Sequence, residues 1–71
     1  MIPDKTALER LRSRFPKGAR VRLVQMDDVQ APPAGTLGRV VHVDDIGTIH
    51  IAWENGSNLG AVYGEDKVEI V

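Results

Sequence analysis

Apolar and polar residues alternate most regularly in the middle of the chain, between Pro33 and Gly56. A period of two is typical of β-strands that bury one face. The pattern therefore predicts two consecutive strands. Their inward positions are Val41, Val43, Ile49, Ile51 and Trp53.

The short link Asp45-Ile46-Gly47 separates these two strands. A three-residue hairpin loop commonly ends in a left-handed residue, and Gly47 adopts that conformation without a Cβ clash. The loop predicts a register that places the apolar pairs on one face and the histidines on the other. The predicted pairs are Asp44 with Thr48, Val43 with Ile49, His42 with His50, and Val41 with Ile51.

Glycine and proline mark the start of this segment. A tight turn is predicted here, either of type I with Pro33 at its second position or of type II with a positive φ at Gly35. Gly38 and the apolar pair Val40-Val41 indicate a bulge or sharp bend. Such irregularities are a usual means of curling a short sheet.

The same alternation predicts three more strands, one before this segment and two after it. Burial favours Trp53 opposite Leu59, so we expect a loop of more than two residues at Asn55-Gly56. In the first strand, Arg20–Leu23, the predicted inward residues are Val21 and Leu23. In the fourth strand they are Leu59, Ala61 and, as an open alternative, Tyr63. In the last strand, Lys67–Val71, they are Val68 and Ile70.

Residues 4–15 predict a short amphipathic helix. Thr6-Ala7-Leu8-Glu9 matches a capping box, and Leu8, Leu11 and Phe15 lie along one side. A helix of this length is marginal on its own. We therefore expect its apolar side to dock on the open end or seam of the sheet, or on another copy of the chain.

Together these elements predict a mainly β fold, a small five-stranded, partly open SH3-like barrel with a short N-terminal α-helix. The helix occupies residues 1–15 and the barrel residues 16–71. The length of 71 residues allows one domain with a small core, and the absence of cysteine means that packing must stabilise it. No leader or membrane-spanning run is visible, which predicts a cytoplasmic protein without membrane contact.

Charge is distributed unevenly along the chain. Residues 1–22 carry a net charge of +5 and residues 23–71 a net charge of -6. A basic segment followed by an acidic one indicates a partner surface, a nucleic-acid contact or self-association. The candidate phosphate-binding residues are Arg10, Arg14, Lys17, Arg20 and Arg22.

Two groups of side chains are of types that could bind a ligand. His42 and His50, with Asp44 nearby, are of types that bind transition metals, but outward strand positions favour plain surface residues. The pairs Asp27-Asp28 and Asp44-Asp45 would suit a cation or a basic peptide, although aspartate is also a favoured turn former. No nucleophile or phosphate-loop motif is present, so we expect no enzyme activity, no metal site and no cofactor.

The strings PKGARVRLVQMDD and VDDIGTIHIAW, with Pro-x-Gly-Thr-x-Gly-x-Val between them and NGS after them, resemble a small domain-of-unknown-function family of SH3-like barrels. That family occurs in phages and mobile elements of Gram-positive bacteria. The resemblance covers residues 15–71 and implies the fold and a mobile-element setting. It implies no activity, and the helix before Phe15 lies outside it.

Two functions from different classes remain. The first is a non-catalytic protein-interaction module of a phage or mobile element, and we expect this one because a protein partner needs neither exposed aromatics nor a basic pI. The second is a nucleic-acid-binding module that uses the basic segment. Two observations disfavour nucleic-acid binding. The sequence pI is near 6.0, and the chain has only three aromatic residues, counting Phe, Trp and Tyr.

Overall fold

The computed structural model describes residues 3–71, which form one helix and five strands. The strands make a single antiparallel sheet in the order β4-β3-β2-β1-β5. A mainly β fold with five short strands and a short N-terminal helix is thus confirmed. The elements are α1 (Lys5–Arg14), β1 (Arg20–Gln25), β2 (Leu37–Val43), β3 (Thr48–Trp53), β4 (Ala61–Val62) and β5 (Lys67–Ile70).

The core lies between the inner face of the curved sheet and the helix. Alternate residues of β1 and β3 are buried there, as their period of two predicts. The helix adds two residues from one side, and Phe15 N donates to Leu11 O at the helix end. The buried residues are Leu11, Phe15, Val21, Leu23, Val40, Val43, Ile49, Ile51, Trp53 and Ala61.

Trp53 is a core residue, as its position in the alternation predicts, and only 4% of its surface is exposed. It lies directly opposite Gly38 of β2. A Cβ atom at Gly38 would come within 2.9 Å of Trp53 Cε3 and 2.7 Å of Ile51 Cγ2. The indole therefore packs on bare backbone, and this close approach requires glycine.

The β2–β3 hairpin confirms most of its predicted geometry. Gly47 has a φ of 85°, and Val43 faces Ile49 while His42 faces His50. The predicted pairing of Val41 with Ile51 is wrong. Val40 faces Ile51 instead, because Val41 is an extra residue in a β-bulge and its side chain turns outward.

The turn before β2 follows the second predicted alternative. Thr36 N donates to Pro33 O at 3.1 Å, and Gly35 has a φ of 92°. A positive φ at the third position is typical of a type II turn.

The helix begins differently from its prediction, and it packs on its own sheet. Its N-cap is Asp4, whose carboxylate accepts a hydrogen bond from Ala7 N at 2.7 Å. The predicted capping box at Thr6 is wrong, because the helix begins at Lys5 with Asp4 as its N-cap, so Thr6 lies inside the helix. Arg12 donates to Val43 O and, at 2.7 Å, to Asp45, which fixes α1 to the β2–β3 turn.

The loop between β3 and β4 comprises residues 54–60, and Trp53 N donates to Ser57 O within it, so the predicted loop of more than two residues is confirmed. Trp53 does not face Leu59 across strands. Leu59 lies outside β4, and its carbonyl accepts a hydrogen bond from Trp53 Nε1 at 2.8 Å. Ala61 belongs to β4 and is buried, whereas Tyr63 follows the strand.

Ile70 lies on the core face, as predicted, but it is not buried there. It pairs with the fully buried Val21, so both residues share the core face, yet 46% of Ile70 is exposed. The physical reason is that β5 is the last strand of the sheet, with a neighbour on one side only. Val68, nearer the helix, is half-buried.

The Gly38 contact gives a stability prediction. We expect Gly38→Ala to lower the free energy of unfolding by about 1–3 kcal/mol, because the added methyl overpacks the core. Trp53→Ala should cost roughly 3–5 kcal/mol. In the Trp53→Ala background, Gly38→Ala should cost less than in the wild type, because the ring that the methyl would meet is gone. Urea denaturation of the four proteins measures these differences, and additive effects would contradict the proposed contact.

Candidate functional site

The five basic residues predicted to contact phosphates are divided between two elements and the turn that joins them. Two lie on α1, two on β1 and one in between, and all five are exposed. Arg22 forms an ion pair with Glu69 across the β1–β5 pair. The other four, Arg10, Arg14, Lys17 and Arg20, make no ion pair with the carboxylates of residues 3–71.

The structure adds Arg39 to this set. Arg39 lies directly opposite Arg20 on the outer face of the sheet and donates to Gly18 O at 3.0 Å. A shallow depression of about 420 Å³ lies beside the two arginines and also borders Ala52 and Glu54. The sequence pattern does not point to Arg39, because this residue belongs to the acidic part of the chain and only the β1–β2 register brings it next to Arg20.

The two histidines stack on the outer face. Their ring centroids are 4.3 Å apart, and the ring planes differ by 10°. A metal ion must lie in the plane of each imidazole that binds it, so two parallel rings cannot aim at one ion. Within residues 3–71 no group of three or more His, Asp or Glu side chains is placed to hold a metal.

Asp44 organises the β2–β3 turn. Its Oδ1 accepts hydrogen bonds from Thr48 N at 2.8 Å and Ile46 N at 3.1 Å, and its Oδ2 lies 2.9 Å from His50 Nε2. The hydrogen bond with His50, followed by that from Thr48 N, lowers the pKa of the Asp44 carboxyl below its ordinary value.

Two of the other loop aspartates, Asp28 and Asp45, also have partners. Asp28 accepts a hydrogen bond from Gln30 N at 2.8 Å within its own turn, and Asp45 binds Arg12. These contacts favour the turn-forming and structural interpretation of the two acidic pairs over a shared cation site.

A groove of about 390 Å³ lies between α1 and β5. Its apolar floor comes from four elements and includes the helix residues Leu11 and Phe15. Val24 also borders it and is 44% exposed, and it lies at the register shift of β1 between Leu23 and Gln25. The apolar lining residues are Leu11, Phe15, Val24, Ile49 and Val68.

The groove continues along the helix into a smaller cavity of about 200 Å³. The two cavities share Leu11, Arg14 and Tyr63, and the smaller one also borders Ala7 and Arg10. We call both together the α1–β5 groove. No local sequence pattern predicts the α1–β5 groove, because its walls meet only when the helix packs on the sheet.

Comparison with known proteins supplies a family. A family model described as "Domain of unknown function (DUF4314)" matches residues 4–71. The chain belongs to this family. The matched range includes α1, so the DUF4314 domain comprises the helix as well as the sheet. No curated protein and no solved structure matches the chain.

The helix of this DUF4314 domain is too short to cross a bilayer, and the described residues contain no other helix.

The lowered pKa of Asp44 predicts a pH effect on stability. Unfolded chains bind the proton at higher pH than the folded domain does, so this carboxylate contributes stability above its ordinary pKa of 3.8. The contribution is lost as the pH falls through the lowered folded pKa. We expect Asp44→Asn to lose less stability than the wild type on acidification from about pH 5 to pH 3.

Thermal melts followed by circular dichroism over this range measure the effect. Asp27→Asn is the matched control, since Asp27 is an exposed loop aspartate. An Asp44→Asn protein whose melting temperature falls with acid as steeply as the wild type would contradict the assignment.

Proposed function

We propose that this DUF4314 domain is a non-catalytic protein-interaction module, and that it binds an extended segment of a partner protein in the α1–β5 groove. The observation that carries the proposal is the position of the groove at the edge of the sheet. β5 is the terminal strand and has one paired neighbour, β1. Its other side offers unpaired backbone groups, which is the requirement for adding a strand from another chain.

The residues around the groove support this binding mode. Lys67, Val68 and Glu69 are consecutive in β5, and all three border the groove. Side chains of a strand alternate between its faces, so a cavity that touches all three lies along the strand. An extended segment there can hydrogen-bond to β5 and place one side chain on the apolar floor.

The size of the groove suits a side chain or two. Its volume of about 390 Å³ falls within the roughly 300–1,000 Å³ that is usual for binding pockets. The non-catalytic part of the proposal rests on the sequence, in which no nucleophile or phosphate-loop motif was found.

A second candidate function is nucleic-acid binding on the outer face. It is favoured by the Arg20–Arg39 pair, because like charges directly opposite in a sheet are destabilising and neither arginine is paired with a carboxylate in residues 3–71. A phosphate between them would relieve the repulsion. Glu54 borders the same depression and opposes an anion there, which ranks this candidate second.

We also propose that the sheet is an SH3-like barrel and that the domain works in the cytoplasm as part of a phage or mobile element. The strand order, with β1 paired to both β2 and β5, supports the first point. The phage or mobile-element setting rests on the sequence resemblance alone.

The groove is tested with two matched variants. Val24 and Val41 are both valines at β-bulges and both 44% exposed, but only Val24 borders the groove. Peptides are selected on the wild-type domain from an unbiased display library. We expect Val24→Glu to lower the affinity for the selected peptides about ten-fold or more, because peptide binding would bury the new carboxylate. Val41→Glu should leave affinity unchanged.

Isothermal titration calorimetry measures both affinities, and circular dichroism verifies that both variants are folded. Failure to enrich any peptide would remove the proposal. So would an equal loss of affinity in the two variants.

The second candidate predicts binding that depends on salt. If the five residues Arg10, Arg14, Lys17, Arg20 and Arg22 all contact phosphates, the log-log slope of affinity against salt should be about -3.5 to -4.5. If only Arg20 and Arg39 do, it should be about -1.8. Fluorescence anisotropy with labelled oligonucleotides measures it, and Arg39→Gln should flatten the slope only in the second case. No binding at about 100 μM protein and low salt removes this candidate.

A further inference from the structure

The charges around the α1–β5 groove are unequal in availability. Four charged residues border the larger cavity, two basic and two acidic, and Arg10 borders its extension. Counting them alone suggests a nearly neutral rim. Their hydrogen bonds and ion pairs show that the basic groups are more available to a ligand than the acidic ones. The four are Arg14, Asp66, Lys67 and Glu69.

Both acidic side chains are already engaged. Asp66 accepts a hydrogen bond from Val62 N at 2.8 Å, which holds the carboxylate in the turn between β4 and β5. Glu69 is paired with Arg22 on the outer face. The ion pair compensates the charge of Glu69, whereas the hydrogen bond fixes the position of the Asp66 carboxylate and leaves it as the one acidic group of the rim without a basic partner in residues 3–71.

The basic side chains are free. Arg14 and Lys67 make no ion pair with the carboxylates of residues 3–71, and neither does Arg10. The Arg14 guanidinium lies 5.3 Å from the centre of the Phe15 ring. Stacking on an aromatic face positions a guanidinium while leaving its edge N–H groups available for hydrogen bonds. The rim therefore presents positive charge on both the helix side and the strand side.

We propose that the groove takes an acidic segment, an extended stretch of a partner protein in which Asp and Glu residues flank an apolar anchor. The anchor contacts the floor formed by Phe15 and Val68. Flanking carboxylates bind Arg14 on one side and Lys67 on the other, and a longer segment reaches Arg10. This assignment rests on the proposed function, because it specifies what the same groove binds.

A segment of this chemistry also exists within the chain. Val29 is fully exposed and directly follows the exposed residues Asp27 and Asp28. A second copy of the chain is thus a competing occupant, and the experiment must separate it from a different protein.

Three labelled nonapeptides test the proposal by fluorescence anisotropy. Their common centre is Val-Leu-Val, and their flanks are Glu-Asp-Glu, Gln-Ser-Gln or Lys-Arg-Lys on both sides. At low salt we expect the acidic peptide to bind about ten-fold more tightly than the neutral one, and the basic peptide to bind least. Added salt should reduce the difference.

The rim is tested with matched variants. Arg14→Gln and Lys67→Gln should each lower the affinity for the acidic peptide by about two- to five-fold and leave the affinity for the neutral peptide unchanged. Arg20→Gln is the control, because Arg20 is also exposed and unpaired but borders the depression on the outer face. Equal affinity for the acidic and neutral peptides would overturn the proposal, and so would an equal effect of the Arg20→Gln control.

The outcomes separate this proposal from the one on which it rests. If the neutral peptide binds as tightly as the acidic one and Val24→Glu still abolishes binding, the groove stands and its preference for acidic segments is wrong. If no peptide responds to Val24→Glu, the groove itself is wrong. If sedimentation finds a dimer that Val29→Ser dissociates, the occupant is a second copy and the proposal of a different partner is overturned.

Discussion

The packing of the Trp53 indole on the backbone of Gly38 is the constraint on which the small core depends. A domain of this size buries few side chains, so the largest one must be covered closely. Gly38 allows the ring to approach β2 directly, and Trp53 Nε1 binds Leu59 O on the other side. One side chain thus connects two neighbouring strands to the irregular segment that leads to β4.

The helix depends on the same sheet through a different contact. Leu11 and Phe15 bury apolar surface, but apolar packing alone does not fix the rotation of a helix. Arg12 fixes the rotation of α1, since its guanidinium donates hydrogen bonds to both the Val43 carbonyl and the Asp45 carboxylate. With β5 on its other side, this orientation leaves the α1–β5 groove open.

Local patterns predicted much of the fold. The alternation around Trp53 and the glycine in the hairpin loop depend on neighbours in sequence, and both predictions hold. The side-chain direction of Val41 does not follow from alternation, because one extra residue reverses it. The exposure of Ile70 depends on the absence of a further strand. The groove was missed for a related reason, because its lining comes from distant parts of the chain.

The pairing of β1 with β5 has a consequence for synthesis of the protein. Arg22 and Glu69 are 47 residues apart, and Val71 N donates to Arg20 O. β2 and β3 can pair as soon as they leave the ribosome, since hairpin contacts are local. β1 instead keeps one edge unpaired until residues 67–70 have been made, and an unpaired strand edge promotes aggregation. The two arginines that alternate along β1 place charge on the outer face of this strand in the nascent chain, which opposes its pairing with other chains during this interval.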